Sequence, residues 1–322
     1  MKFWIVCLLL SVCSADEGYI GVKTCGGQLG NQLFDVAATV AYAWDHELTP
    51  VFPDFKSEES NLAYNYAQVF FRLDGEKQSP LSLPLYTVEN PGFVQLPQDL
   101  SNVLLDGGFF SWKYFDHHRE AIQKLFEPKE ELVEKLTSKY GELIGAENTV
   151  AVHVRSYSKA VHESGLHFVG FAYFKEAMDQ FSKDSLFVVF SDRIQWTKAN
   201  FQKKFPDKRF VFIEGNDYIE DFYLMSMMKH QIVSRSSFSW WSAYLNKHQE
   251  KKVYAPLLKE EGIRGFFKPY VKHLLTFFGK IFWWDENYWL PEWKKIGYCV
   301  EPYPEDLYSY GDESTSLYPL DK

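Results

Sequence analysis

Val150 to Tyr157 reads VAVHVRSY. Val150-Ala151-Val152 has the apolar character of a buried strand, and it carries His153 and Arg155 to its C-terminal end. In an open α/β sheet, ligands bind past that end. A guanidinium there suits a phosphate, because it donates to two oxygens at once. A strand ending in surface polar residues would read the same over eight positions, so the flanks decide.

Downstream, Ser156 to Gly170 is a loop carrying Glu163 and His167. Ala172 to Phe181 has helical spacing. Leu186 to Phe190 (LFVVF) is a short continuous apolar run of the kind found in buried parallel strands, and it ends in Ser191 and Asp192. Trp196 to Phe205 is a helix, Phe210 to Ile213 a strand, and Tyr218 to Lys229 a helix. Gln231 to Val233 is a strand, Trp240 to Lys247 a helix, and Val253 to Pro256 the last strand. This alternation predicts an α/β domain with a parallel, doubly wound sheet. Ser234-Arg235-Ser236-Ser237-Phe238-Ser239 leads into one of the helices. Serine is a preferred helix N-cap. Four serines and an arginine at a helix N-terminus also fit a phosphate seat, where hydroxyls join the backbone N–H groups.

Upstream, Tyr19 to Thr24 alternates as a first strand. Cys25-Gly26-Gly27-Gln28-Leu29-Gly30-Asn31-Gln32 follows, and Leu33 to Trp44 is an apolar helix. The loop lacks both the Gly-Lys-Ser/Thr of a P-loop and a GxGxxG dinucleotide fingerprint. Pro50 to Leu105 reads as short strands and loops, and Leu104 to Trp112 as a strand with a Gly turn. His117 and His118 precede a helix over 119–126. No carboxylate or Cys spacing in the sequence supports a metal site there. Lys129 to Tyr140 is a charged amphipathic helix. The predicted division is a signal peptide or N-terminal anchor over 1–15, an N-terminal domain over 16–145, a C-terminal domain over 146–297, and an acidic, poorly ordered tail over 298–322.

Composition narrows the partners. The 322 residues carry a net charge of −9, which argues against a nucleic-acid partner and requires any phosphate site to be a local basic pocket. Ten Trp, 20 Tyr and 28 Phe fit either sugar stacking or a large aromatic core, and the core is the preferred reading. Cys25 and Cys299 are the only cysteines outside the leader, read as unrelated buried thiols, with a disulfide as the alternative. Met1 to Ala15 has the charge, apolar run and small-residue end of a secretory signal, too short for a bilayer span of roughly 20 residues. A secretory or membrane-associated location follows, with a cytoplasmic bacterial enzyme as the alternative. Phe266 to Trp284 is apolar and aromatic enough to lie on a membrane surface, or to pack against the other domain.

Five stretches together resemble glycosyltransferase family 11, the α-1,2-fucosyltransferases. GGQLGNQLF resembles the family's GGLGNQ loop, and AVHVR its HxR motif. FSDRIQWTKANF and DFYLMSMMKHQIVSRSSFSWWSAYLN resemble its FSDD and NSTFSWWG blocks, and YWLPEWKKI its closing segment. The resemblance implies two Rossmann-like domains facing a cleft, the GT-B type. It implies an inverting, metal-independent transfer of fucose from GDP-fucose to a glycan hydroxyl, galactose O2 in this family. The sequence contains no Asp-x-Asp motif. No cofactor is expected.

Residue by residue, the resemblance places Arg155 on the β-phosphate, His153 on the guanine side and Asp221 as a guanine-reading carboxylate. Ser236, Ser237, Phe238 and Ser239 form the diphosphate turn, and Asp192 joins the donor site. Gly30, Asn31 and Gln32 face the cleft on the acceptor side. Glu163, at the offset of the base in a related α-1,6 family, and His167 are the candidate bases. Departures stand out against the family's HxRRGDY: the second arginine is Ser156, and Gly-Asp is Tyr157-Ser158. The Asn before the serine turn is Arg235, read as restoring the missing charge. These changes also fit a non-catalytic glycan- or nucleotide-binding protein, or a fucosyltransferase of another linkage.

Overall fold

The computed structural model describes residues 18–53, 55–73, 82–89, 93–157, 168–258, 288–298, 304 and 306. The leader, Glu163, His167, the stretch from Phe266 to Trp284 and Cys299 lie outside the described residues.

The N-terminal sheet has four strands: β1 (Tyr19–Val22), β2 (Thr49–Val51), β3 (Leu85–Thr87) and β4 (Val103–Asp106). They run parallel in the order β2-β1-β4-β3. Helix α1 (Leu29–Asp45) follows β1, and α2 (Arg119–Leu125) and α3 (Glu130–Ile144) follow β4. The C-terminal sheet is built from β5 (Thr149–Val154), α4 (Phe171–Met178), β6 (Leu186–Ser191), α5 (Ile194–Lys204) and β7 (Arg209–Phe212). It continues with α6 (Tyr218–Ser226), β8 (His230–Ile232), α7 (Ser237–Leu245), β9 (Val253–Leu258) and β10 (Lys294–Tyr298). Its six parallel strands lie in the order β10-β9-β8-β5-β6-β7.

The expected α/β architecture is present, with three differences. The sequence reading ended the sheet at Val253 to Pro256, but β10 adds a parallel edge strand. Only Ile296 and Tyr298 of KKIGY are buried, a two-residue alternation too short to stand out. Residues 59–70 form short helical turns in place of loop. Helix α7 begins at Ser237, so Ser237 and Ser239 lie inside its first turn.

Every residue of β5 is buried. Period-two alternation sends Val150, Val152 and Val154 into one core and Ala151 into the other. His153 shares the face of Ala151. That second core is common to both sheets: Phe34 of α1 packs 4.7 Å from Trp240 and 5.2 Å from Trp241 of α7. Trp240, Trp241, Trp289 and Phe115 are among the largest fully buried side chains. The aromatic surplus therefore builds core, much of it at the seam between domains. Burying each such ring contributes roughly 1.5–3 kcal/mol. Cys25 is a buried free thiol.

Candidate active site

The strand order of the larger sheet reverses at β5. The chain runs from β5 through β6 to β7 on one side, and from β8 through β9 to β10 on the other. The crevice beyond the carboxyl ends of β5 and β8 is therefore the topological switch point, where such sheets bind ligands. His153 Nδ1 lies 2.7 Å from Ser234 Oγ across that crevice. His153 is 3% exposed. Burial pushes its pKa down to about 3; Asp192 nearby raises it and Arg155 lowers it further. The imidazole is thus neutral at physiological pH.

Arg155 emerges one residue past β5 and is held from two sides. Its Nη1 lies 3.4 Å from Asp192 Oδ2, and its guanidinium carbon sits 5.2 Å from the centre of the Tyr157 ring. Asp192 is 5% exposed, and its Oδ1 accepts from both the N–H and the hydroxyl of Ser156 at 3.0 Å. Asp192 therefore aims Arg155 and ties the end of β5 to the end of β6. Ser156, 1% exposed, points into the protein, where an arginine's charge would have no water.

Tyr157 has φ +59°, the left-handed region that costs a non-glycine residue roughly 1–2 kcal/mol. It stands where the related motif has glycine. Its hydroxyl donates to the Arg235 carbonyl, which anchors the strained turn to the other side of the crevice. Spacing alone did not single out Tyr157. Its left-handed backbone was foreshadowed by the glycine it replaces.

The serine turn differs in detail from the expectation. Ser236 occupies the N-cap position of α7 without a capping bond, and Ser239 Oγ donates to the Ser236 carbonyl at 3.2 Å. The Ser234, Ser237 and Ser239 hydroxyls are thus used within the protein, and the helix end itself is an anion-attracting feature. Arg235 is 3% exposed and hydrogen-bonds the Tyr298 hydroxyl. It adds positive charge from behind the turn rather than a contact at its surface. Phe238 packs 5.6 Å from the His153 ring and 5.3 Å from Phe222. Asp221, in the first turn of α6, is 4% exposed and accepts from Asn216 Nδ2 at 2.9 Å.

The loop of the other domain meets this turn directly. Ser237 Oγ donates to Asn31 Oδ1 at 2.7 Å. A Cβ on Gly30 would lie 2.5 Å from Phe238 N and from the Ser237 carbonyl carbon, so only glycine allows this approach. Gly30 and Asn31 are in the first turn of α1, and Ser237 and Phe238 in the first turn of α7. Two helix N-termini converge, each equivalent to about half a positive charge. Like ends repel, and an anion between them removes the repulsion.

Gln32 does not face the cleft. It is fully buried, donates to the carbonyls of Gly27 at 2.9 Å and Ser60 at 3.0 Å, and accepts from Asn65 Nδ2 at 2.7 Å. Asn65 in turn accepts from the Tyr218 hydroxyl of the other domain at 2.7 Å. Gln32 braces the loop. His117 and His118 also acquire a neighbour invisible in the sequence: their Nε2 atoms each lie 2.8 Å from one oxygen of Asp45. Asp45 is 14 residues along α1 from Asn31, about 21 Å by helical rise.

A second opening lies at the carboxyl edge of the N-terminal sheet. A cavity of about 290 Å³ is lined by Thr24 and Gly26 after β1, Asp106, Gly107 and Gly108 at the end of β4, and Asn31, Asp35, Leu105 and Phe110. Asp35 is 5% exposed. Burial pushes its carboxyl well above the ordinary range, opposed only by the Phe109 N–H. Asp35 is the one acidic residue in the apolar run LFDVAATV, a signal in the sequence that was passed over.

Two parallel sheets whose carboxyl edges meet at one seam define an α/β fold of the GT-B type. The fucosyltransferase NodZ from Bradyrhizobium has this fold, with a TM-score of 0.51 at 16% identity over 71% of this chain and 92% of that one. The chain belongs to glycosyl transferase family 11, whose family model matches residues 25–262. An alpha-1,2-colitosyltransferase of Escherichia coli is 32% identical over 155 residues, 45% of this chain and 51% of that protein. Galactoside alpha-(1,2)-fucosyltransferase 1 of Homo sapiens is 29% identical over 212 residues, 62% of this chain and 53% of that protein. The chain spans about half the length of these curated relatives. Among the described residues, no helix is long and apolar enough to cross a membrane.

Proposed function

We propose that this protein transfers fucose from GDP-fucose to a hydroxyl of a galactoside, forming an α-1,2 linkage with inversion. The observation that carries the reading is the meeting of two helix N-termini at Asn31 and Ser237, with Arg155 just past the end of β5 at the switch point. That arrangement suits a diphosphate. The name of the human relative and a structure of NodZ soaked with GDP-fucose support the choice of donor, while the Escherichia coli relative is named for the transfer of colitose.

In this reading the acceptor oxygen attacks the fucose anomeric carbon from the face opposite GDP. The bond from that carbon to the β-phosphate oxygen breaks, and its electron pair leaves with GDP. Arg155 and the N–H groups at the start of α7 stabilise the departing diphosphate without a metal. Asp192 holds Arg155 in place. Neutral His153 and Asp221 form the guanine side of the pocket. The acceptor proton passes to Glu163 or His167. The signal-like leader supports a location in the secretory pathway or at a membrane, with Phe266 to Trp284 as a peripheral contact, and a cytoplasmic bacterial enzyme is the alternative.

Incubating the full chain with GDP-fucose and a glycan panel tests this, with the linkage read by mass spectrometry and NMR. Transfer to galactose O2 is expected. Ser156, in place of an arginine, favours a second reading, a non-catalytic binding protein. GDP binding without hydrolysis or transfer would establish it.

A further inference from the structure

We infer that the cavity behind the glycine loop is the subsite for one neutral pyranose of the acceptor, with Asp35 hydrogen-bonding a sugar hydroxyl. The inference rests on the galactoside-directed transfer proposed above and assigns its acceptor to a place.

The cavity sits beyond the carboxyl ends of β1 and β4, the position in the smaller sheet that the diphosphate seat holds in the larger one. Its 290 Å³ is at the small end of ligand pockets, which run from about 300 to 1,000 Å³. None of its lining residues is basic, so it does not suit a second anion. Two carboxyls (Asp35 and Asp106, the latter paired with Lys23), an amide (Asn31) and a hydroxyl (Thr24) share the wall with the Phe110 ring. That mixture matches a pyranose, which offers hydroxyls at its rim and C–H groups on its faces.

Asp35 is the specific pointer. Its Oδ1 is buried without a hydrogen-bond partner. Leaving a buried polar atom unpaired costs about 1–3 kcal/mol, and natural folds keep few such atoms. A carboxyl oxygen accepts from a sugar hydroxyl, and burial, which raises the Asp35 pKa, favours the protonated form that can also donate. Asp35 lies one helical turn below Asn31 on the same face of α1, and Asn31 bonds Ser237. A sugar in the cavity is therefore one turn of helix from the diphosphate seat, with Asn31 lining both.

The test uses the full chain saturated with GDP and reads lactose binding by saturation-transfer NMR. The two variants are Asp35→Leu, which removes the hydrogen-bonding group, and Gly26→Leu, which fills the space. A Cβ on Gly26 would meet nothing nearer than Thr24 Oγ1 at 4.0 Å, so a side chain can leave the backbone there without a Cβ clash. Binding of GDP at wild-type affinity certifies that each variant is folded. Wild-type protein is expected to saturate the galactosyl protons, and both variants to weaken lactose by about tenfold or more. Lactose affinity within about twofold of wild type in both variants would overturn the subsite, as would no lactose binding by GDP-loaded wild type. Both results leave the donor reading standing. Absence of GDP binding by the wild type would instead remove the donor reading, and the subsite with it.

Discussion

The two sheets end in the same way and carry opposite chemistry. Past β5 and β8 the crevice holds Arg155, the buried charge of Arg235, a neutral His153 and the N-terminus of α7. Past β1 and β4 the cavity holds Asp35, Asn31, Thr24 and Phe110, and no basic residue lines it. Parallel sheets create a crevice at their carboxyl edge whatever the sequence. The side chains then set the chemistry of each crevice; in the proposed function one takes a diphosphate and the other an uncharged polyol. The two are joined by one hydrogen bond, Ser237 to Asn31, and by the close approach at Gly30.

The comparison breaks most severely at Arg155. Arg155→Ala removes the donor-side cation, and turnover should fall about 10²–10³-fold, the scale for losing one donor to a developing anion. Steady-state kinetics with GDP-fucose measures it, and near-wild-type turnover would sink the assignment. The seam comes next. Gly30→Ala places a methyl group 2.5 Å from backbone atoms of α7, and overpacking of this kind costs about 1–3 kcal/mol. Chemical denaturation should show that loss, together with weaker GDP binding. An unchanged stability would mean that the two edges do not touch in solution.

A smaller effect is expected at Tyr157. Tyr157→Phe deletes the bond to the Arg235 carbonyl that holds the left-handed turn, worth about 0.5–1.5 kcal/mol. The thermal midpoint should drop modestly and turnover should fall with it, because the ring against Arg155 loses its anchor to the Arg235 carbonyl. Restoring glycine at 157 removes the strain but not the lost support, so it should rescue stability more than rate.

The pH dependence sharpens the comparison last. His153 titrates near 3 in the folded protein and near 6.5 when unfolded, so the unfolded chain binds the extra proton between these values. Its contribution is fully present above pH 6.5 and is lost as pH falls towards 3, by at most about 1.4 kcal/mol per pH unit. Denaturation at pH 7 and pH 5 should show this for wild type, and His153→Gln should flatten the slope. An equal slope in both proteins would place the titrating group elsewhere.

Much of this was legible in the linear chain because it is local. LFVVF, VAVHV and the serine turn announce buried parallel strands and a helix start through periodicity and residue type. The family resemblance then pointed to Arg155, His153 and the two facing loops. What was not legible depended on contacts between distant residues. Asp192 reads as a ligand in sequence but holds Arg155 and Ser156 in the fold. Gln32 reads as a cleft residue, yet its amide is satisfied by Gly27, Ser60 and Asn65. His117 and His118 follow Asp116 in sequence but meet Asp45 instead, 72 and 73 residues away.

The amino-acid order by itself determined the parallel α/β class, the position of the switch-point arginine and the helix-start turns. Each follows from hydrophobic periodicity and backbone chemistry within a few residues. Only the tertiary structure decided which polar groups look into the crevices and which brace them. That choice depends on burial. A carboxyl such as Asp35 is pushed towards its neutral form, with one oxygen left unpaired, only when the fold excludes water from it, and a serine such as Ser156 becomes a brace only when Asp192 arrives beside it from another strand.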